Sequence, residues 1–242
     1  MSPSSKGAPS DRRARAEQLK AEREAAARAS ERRTRLLIAV AVVAAIALVA
    51  VAVVVTQSST GENAPVPTGV EAPDGGAPYG EASAAVVMDE WVDFSCPACK
   101  TFNENLAPTI NGLVESGELQ VYYHPLSFLG AGSVRAANAF GCAVDEGVTH
   151  EYYDALFTIQ ESSSDPFTDE NLVALGEEIG IEGESFAGCV NGGDYDGWVS
   201  NVAASQLDNG VTGTPTIFLN GELVDLPDFT PESLLAAIED AS

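Results

Sequence analysis

Histidine, cysteine and basic residues are scarce in this chain of 242 residues, and each shortage excludes a class of function. There are two histidines and four cysteines, and only two of the cysteines are close together. A structural zinc site needs a second Cys/His pair, and a haem-attachment motif needs a histidine directly after the second cysteine. Lys100 stands at that position, and neither His124 nor His150 completes such a set. We therefore expect no metal site and no attached haem, and we interpret both histidines as structural.

The few basic residues lie almost entirely at the N-terminus. Residues 1–35 carry ten of the twelve Lys and Arg side chains and five of the thirty-six acidic ones. Beyond them only Lys100 and Arg135 offset the remaining carboxylates. A surface this acidic favours solubility and repels nucleic acid and anionic bilayers. We expect no nucleic-acid partner, although binding of nucleic acid by the basic tail is a weak alternative.

An uncharged apolar run of twenty residues, 36–55, follows the basic tail. At about 1.5 Å per residue a helix of that length spans roughly 30 Å, the thickness of a bilayer's hydrocarbon core. A cleaved signal peptide is the alternative, but its apolar region would be only about 7–15 residues long. Arginines at the near edge of the run hold the N-terminus in the cytoplasm. We expect residues 1–35 to be a cytoplasmic tail, 36–55 a transmembrane signal anchor, and the rest to lie outside the cytoplasmic membrane.

The remainder divides into a spacer and a domain. Residues 56–83 contain four prolines and five glycines with few large apolar side chains, which predicts a flexible linker. Residues 84–242 then form a folded domain long enough for a substantial core. Its pattern is strand, helix, strand, several short helices, hairpin and helix. The predicted elements are a strand over 85–94, a helix from Cys96 to about 116, a strand over 119–125, a helical block over about 131–209, a hairpin around Asn220–Gly221, and a last helix capped by Thr230.

Two cysteines at the start of the first predicted helix carry the chemistry. Cys96 and Cys99 are three residues apart and directly follow the first predicted strand, and Pro97 suits the first helical position. The unpaired N–H groups of a helix N-terminus favour a thiolate, so Cys96 is predicted to be an acidic nucleophile. Cys99, one helical turn later, is placed to resolve the mixed disulfide that Cys96 forms. This arrangement favours thiol–disulfide exchange.

Phe94-x-Cys96-Pro97-x-Cys99 after a strand, with Thr214-Pro215-Thr216 before a late hairpin, resembles the thioredoxin fold. The intervening helical block resembles the DsbA-like thiol oxidoreductases of the bacterial envelope, over about two thirds of the chain. The resemblance implies an α/β thioredoxin fold with an inserted helical subdomain, here preceded by one transmembrane helix. It further implies that Pro215 is cis and lies against the cysteine pair, so that the backbone of Thr214 is free to bind an extended peptide substrate.

Glu90, six residues before Cys96, matches an acidic residue that this family buries beneath the active site. The resemblance implies that Glu90 is a proton acceptor or pKa modulator for Cys99. The alternative is an exposed carboxylate, because Asp89, Glu90 and Asp93 are close together and cannot all point inward. We interpret Asp89 and Asp93 as surface charges.

Cys142 and Cys189 are the other two cysteines. If the adjacent pair does the chemistry, these two either pair with each other or stay free. An oxidising compartment favours a structural disulfide, and actinobacterial members of the resembled family often have a second bridge. Two buried thiols packed as small hydrophobes are the alternative.

These observations predict a membrane-anchored thiol:disulfide oxidoreductase that introduces disulfides into exported proteins with cysteine pairs. It needs no cofactor, but a membrane protein of the DsbB or VKOR type must reoxidise it. A reductase or disulfide isomerase on the same fold is one alternative. A non-catalytic binding module, in which Cys96 and Cys99 form a permanent staple, is the other.

Overall fold

The computed structural model describes residues 61–242. The predicted cytoplasmic tail and signal anchor, residues 1–55, lie outside the described residues. Within the described part, no helix is both long and apolar enough to cross a membrane.

A five-stranded mixed sheet forms the centre of the domain, in the order β1-β3-β2-β4-β5. The strands are β1 (Ala77–Tyr79), β2 (Val86–Val92), β3 (Leu119–Pro125), β4 (Thr216–Leu219) and β5 (Glu222–Val224). β2 and β3 are parallel, and the other neighbouring pairs are antiparallel. Both central strands are rich in β-branched and aromatic residues and are largely buried, as expected for strands covered on both faces. The chain that leaves β2 at the middle of the sheet leads directly to the two close cysteines.

Seven α-helices surround this sheet in the described region. They are α1 (Pro97–Glu115), α2 (Ala131–Asp145), α3 (Thr149–Ile159), α4 (Asp169–Glu178), α5 (Glu184–Gly192), α6 (Asp196–Ser205) and α7 (Pro231–Ala241). α1 buries a stripe at helical spacing, from Cys99 through Leu106 to Val114, and packs against β3 and α7. The side chain of Thr230 caps α7 by accepting from Ser233 N at 3.2 Å, so the predicted capping is confirmed.

The five helices α2–α6 form the helical insertion, which lies between β3 and β4 as predicted. α2 is its central helix and contacts all four of the others. A disulfide joins Cys142 of α2 to Cys189 of α5, with Cα atoms 5.9 Å apart. The insertion also packs against the loop after β2, because Phe94 contacts Phe140 of α2 and Phe157 of α3 with ring centroids 5.5 and 5.6 Å apart.

The prediction of a flexible linker is wrong for residues 61–83. Ala77–Tyr79 is strand β1 and pairs with β3 at the edge of the sheet. Upstream, Thr68 N donates to Asp145 Oδ1 at 2.8 Å, and Asn201 Nδ2 donates to the carbonyl of Gly61 at 3.0 Å. Proline and glycine suggested flexibility, but buried apolar side chains and these long-range hydrogen bonds hold the segment on the domain. The domain therefore includes residues 61–83.

Candidate active site

Cys96 occupies the N-cap of α1, where the chain turns from β2 into the helix. Its backbone is extended, with φ −81° and ψ 121°, and Pro97 follows at the first helical position. Its N–H donates to the carbonyl of Asp93 at 2.9 Å, which closes a tight turn between strand and helix. Cys96 is 9 % exposed and Cys99 is fully buried. An attacking group therefore reaches the sulfur of Cys96 first.

The two thiols differ sharply in acidity. The hydrogen bond from the Cys99 thiol, helped by the backbone N–H groups of Ala98 and Cys99, lowers the pKa of Cys96 from 9.0 to about 5. Burial raises the pKa of Cys99 well above its ordinary value, and its hydrogen bond to Cys96 adds to the increase. At neutral pH the reduced pair therefore holds one thiolate, at Cys96, and one thiol, at Cys99. This asymmetry distinguishes a nucleophile from a resolving cysteine.

The loop before β4 lies against Cys96. The Thr214–Pro215 peptide bond is cis. Cys96 Sγ lies 3.5 Å from the carbonyl oxygen of Thr214, at hydrogen-bonding distance for sulfur. A groove of about 270 Å³ continues from this loop along β4 and β5. Its apolar lining includes Pro215, Ile217, Leu223, Leu226 and Phe229.

Glu90 is buried in the middle of β2, so the alternative of an exposed strand carboxylate is wrong. It is 1 % exposed, and its neighbours in the sheet are Tyr123 of β3 and Ile217 of β4. The hydroxyl of Tyr153 on α3 donates a hydrogen bond to Glu90 Oε1. Burial raises the pKa of Glu90 to about 8, although the Tyr153 hydrogen bond opposes the shift. Glu90 therefore holds a proton at neutral pH and ionises only slightly above it.

Asp93 is not the surface charge that we expected, whereas Asp89 is partly exposed. Asp93 is 0 % exposed, and its carboxylate accepts hydrogen bonds from Ser95 N at 2.8 Å and from the Ser133 hydroxyl at 2.7 Å. Asp89 Oδ1 lies 2.9 Å from Nε2 of His124. Asp89 and Glu90 point to opposite faces of β2, and the Asp89 side chain is 31 % exposed whereas Glu90 is buried.

Two side chains, one from α3 and one from the residue that follows it, contact the site, and no motif in the local sequence predicts either contact. Tyr153 contacts Glu90, and Gln160, directly after α3, reaches the loop between β2 and α1. Gln160 Nε2 donates to the carbonyls of Phe94 and Cys96 at 2.6 and 3.0 Å. Beside it, Lys100 Nζ lies 2.8 Å from Glu161 Oε2. The helical insertion thus holds the start of α1 through the hydrogen bonds of Gln160 to backbone carbonyls and through the Lys100–Glu161 ion pair.

Among residues 61–242, no group of three or more His, Cys, Asp or Glu side chains is arranged to hold a metal ion.

A sequence model described as thioredoxin matches residues 73–240, more than half of the chain. The chain belongs to the thioredoxin family. Within the family it is a DsbA-like thiol-disulfide oxidoreductase, like several of the relatives that it matches. The structure of MdbA, a thiol-disulfide oxidoreductase from Actinomyces oris, is similar, with a TM-score of 0.65 and 28 % identity over 76 % of this chain and 92 % of that one.

Two further relatives of this thioredoxin-family chain point the same way. Reduced DsbA from Mycobacterium tuberculosis has a TM-score of 0.59 and 25 % identity, covering 69 % of this chain and 92 % of that one. A probable disulfide bond formation protein D of Bacillus cereus is 28 % identical over 167 residues, which are 66 % of this chain and 76 % of that protein.

Proposed function

We propose that this thioredoxin-family protein is anchored in the cytoplasmic membrane and oxidises cysteine pairs in exported proteins through Cys96 and Cys99. The observation that carries the proposal is the asymmetry of the two thiols. A thiolate at Cys96 with a pKa of about 5 stabilises the reduced pair at neutral pH, so the Cys96–Cys99 disulfide is more oxidising than a disulfide between ordinary thiols. Such a pair accepts electrons readily, as an oxidase requires.

Exchange begins when a substrate thiolate attacks Sγ of Cys96 in the Cys96–Cys99 disulfide. A sulfur–sulfur bond forms between substrate and Cys96, and Cys99 leaves and takes up a proton because its pKa is raised. A second substrate thiolate then attacks the substrate sulfur of the mixed disulfide, and Cys96 leaves as a stable thiolate. The substrate has lost two electrons and the protein pair has gained them.

Glu90 donates a proton to Cys99 when the pair is reduced and accepts a proton from Cys99 when the pair is reoxidised. With a pKa of about 8, Glu90 gives up or accepts a proton near neutral pH, whereas an exposed glutamate is ionised throughout. When Cys99 leaves as a thiolate, protonated Glu90 supplies the proton. When the reduced pair is reoxidised, ionised Glu90 takes the proton from Cys99 and prepares it to attack. We therefore propose Glu90 as the proton acceptor and pKa modulator of Cys99.

The loop at Thr214 and the adjoining groove bind the substrate peptide. The Thr214 backbone lies beside Cys96, and the apolar groove of about 270 Å³ begins at Pro215. An extended, unfolded segment offers both free backbone groups and apolar side chains to such a surface. Exported proteins that are still folding present segments of this kind. The reduced pair then passes its electrons to a membrane partner of the DsbB or VKOR type.

The placement outside the cytoplasm rests on the charged tail and the apolar run of residues 36–55, which have the composition of a signal anchor. Protease added to intact spheroplasts should remove the C-terminal domain and leave a small membrane-bound fragment. Resistance of the whole chain until lysis would place the domain in the cytoplasm and overturn this part of the proposal.

The oxidase activity is tested by mixing the oxidised full-length protein with a reduced two-cysteine peptide. We expect the peptide disulfide to form with loss of the Cys96–Cys99 disulfide. A Cys99→Ser variant, in which Cys96 is a free thiolate, should accumulate a mixed disulfide at Cys96 when it is given the disulfide-linked dimer of a single-cysteine peptide, with release of one peptide thiolate. In cells, acid quenching followed by alkylation should find the pair mainly oxidised. A pair found mainly reduced would favour the reductase or isomerase, and a disulfide inert to small thiols would favour a structural staple.

A further inference from the structure

One face of α3 contacts both parts of the site that carry chemistry. Tyr153, Phe157 and Gln160 follow one another at intervals of four and three residues, and the backbone of Gln160 is still helical (φ −50°, ψ −35°), so the three side chains share a face. Tyr153 donates to the buried acid of β2, and Phe157 packs on Phe94. Gln160 reaches the backbone of the turn that leads into Cys96.

The amide of Gln160 uses both of its N–H groups on this turn. Nε2 donates to the carbonyl of Phe94 at 2.6 Å and to the carbonyl of Cys96 at 3.0 Å. Because a carbonyl oxygen can only accept, the amide nitrogen and not the amide oxygen must face these two groups. A carboxylate at this position could not make either bond. The contact therefore depends on the amide and not only on the length of the side chain.

The carbonyl of Phe94 depends on this contact. Phe94 is 0 % exposed, and among residues 61–242 no backbone N–H donates to its carbonyl oxygen. A buried carbonyl that loses its donor is costly, so the chain is expected to shift until that carbonyl reaches water or another donor. Removal of the Gln160 amide should therefore move the turn.

The opposite side of the turn is held by Asp93. Its backbone carbonyl accepts from Cys96 N at 2.9 Å, and its carboxylate accepts from Ser95 N at 2.8 Å. The N–H groups of the turn are thus bound by the residue that follows β2, and its carbonyl groups are bound by Gln160. With both sets bound, Cys96 keeps the extended backbone of an N-cap residue.

This backbone position decides what surrounds the sulfur of the nucleophile. The hydrogen bond from the Cys99 thiol lowers the pKa of Cys96, and the backbone N–H groups of Ala98 and Cys99 add to the effect. The carbonyl oxygen of Thr214 lies 3.5 Å from Cys96 Sγ. The field of a helix N-terminus falls off within one turn, so a small rotation of Cys96 weakens the stabilisation of its thiolate.

The charged groups around Cys96 do not account for its acidity. Burial raises the pKa of Asp93, and the charge of the Cys96 thiolate adds to the increase, so these two negative charges disfavour each other. Lys100 is the only basic residue of α1, and its Nζ lies 2.8 Å from Glu161 and 3.8 Å from Glu104. Because that cation is already paired, the thiolate depends on the hydrogen bonds that the turn makes available.

We propose that Gln160 is a positioning residue for the exchange reaction, which binds the carbonyls of Phe94 and Cys96 through one amide and so keeps the Cys96 sulfur within reach of the N–H groups of α1. The helical insertion thereby contributes to the reactivity of the nucleophile as well as to the shape of the domain. Since Tyr153 lies on the same face, α3 fixes the nucleophile and the buried acid relative to each other. This inference rests on the proposed exchange at Cys96 and adds a residue on which that exchange depends.

Gln160→Met tests this role, because methionine has a similar length and no hydrogen-bond donor. The assay is a thiolate titration of the reduced full-length protein with the Cys142–Cys189 disulfide intact. Cys99 keeps its proton at neutral pH, because its pKa is raised, so the absorbance change reports Cys96. We expect the Cys96 midpoint to rise by about one pH unit, a tenfold fall in the thiolate-to-thiol ratio that corresponds to the loss of about one hydrogen bond. The equilibrium constant with glutathione should shift by about the same factor towards the Cys96–Cys99 disulfide.

Gln206→Met is the matched control. Gln206 directly follows α6, another helix of the insertion, and is partly exposed, so this replacement removes the same amide without removing a hydrogen bond to the active-site turn. Its Cys96 midpoint should equal that of the natural protein. Gln160→Asn decides the matter if Gln160→Met does not fold, because its amide is one methylene too short to reach both carbonyls, and its midpoint should rise as well.

An unchanged Cys96 midpoint would overturn the proposal, whatever the loss of stability, because a merely structural contact lowers the free energy of unfolding without changing the acidity of the thiol. An equal rise in Gln206→Met would also overturn it. The titration needs no substrate, so a failure of the oxidase proposal in cells leaves this result readable. The midpoint of the natural protein tests the proposed function, and only the change between the proteins tests the role of Gln160.

Discussion

Replacing Glu90 by glutamine should stabilise the protein at neutral pH. The folded pKa of Glu90 is about 8, against 4.5 for an ordinary glutamate. Because the pKa of Glu90 is higher in the folded state than in the unfolded state, burying the protonated side chain contributes stability that is fully present below pH 4.5. That contribution is lost as the pH rises through 8. From 4.5 to 7 the folded state binds one more proton than the unfolded state, and each pH unit removes about 1.4 kcal/mol, or about 3 kcal/mol by pH 7.

Glu90→Gln keeps the shape and the neutral charge of the protonated acid and does not titrate. At pH 4 the variant and the natural protein should have similar free energies of unfolding, and at pH 7 the variant should be more stable by about 3 kcal/mol. The assay is denaturant unfolding of the full-length chain from pH 4 to 8, with Cys96 and Cys99 reduced and the Cys142–Cys189 disulfide intact.

Glu177→Gln on α4 is the control, because this side chain is exposed and its replacement should leave the profile unchanged. A constant difference between Glu90→Gln and the natural protein at every pH would refute the reasoning. It would mean that Glu90 is already ionised at neutral pH, and the assignment of Glu90 as a proton donor and acceptor for Cys99 would fail with it.

Two further predictions concern the cysteines. Titration of the reduced protein, followed by thiolate absorbance, should show a midpoint for Cys96 at a pH of about 5, and a midpoint near the ordinary 9.0 would contradict the assigned asymmetry. Replacing both Cys142 and Cys189 by alanine opens a loop with a sequence separation of 47 and should lower the free energy of unfolding by about 4 kcal/mol. Denaturant unfolding measures this loss, and the exchange rate of Cys96 with glutathione should not change; a stability loss below about 1 kcal/mol would show that the bridge constrains little.

Local signals were sufficient for the nucleophile and its helix. Short-range patterns predict the strand, the turn after it and the helix that begins at Cys96-Pro97. The sequence alone is therefore sufficient to predict β2, α1 and the cysteine pair. The prediction that Glu90 is the buried acid depended on the family resemblance. Three acidic residues lie in and just after one strand, and the alternation of side chains along a strand does not show which face is buried.

Long-range contacts explain what was missed. Asp93 lies beyond the end of β2, where alternation no longer applies, and its partners Leu129 and Ser133 come 36 and 40 residues later. Tyr153 meets Glu90 across 63 residues, and the helical insertion that carries it has no motif that predicts the contact. The error at residues 61–83 has a related cause, since composition records local flexibility but not the strand pairing that orders β1.

The reduction potential of the Cys96–Cys99 pair in the full-length protein, equilibrated with glutathione, tests the central claim most directly. With a Cys96 pKa of about 5, the thiolate is favoured by roughly two powers of ten at pH 7, which raises the potential by about 60 mV over that of a pair with ordinary thiols. We predict a value about 60 mV above the roughly −270 mV of thioredoxin, shifted towards the roughly −120 mV of DsbA. A value near the thioredoxin potential would contradict the oxidase, and a pair that does not equilibrate at all would contradict redox function at this site.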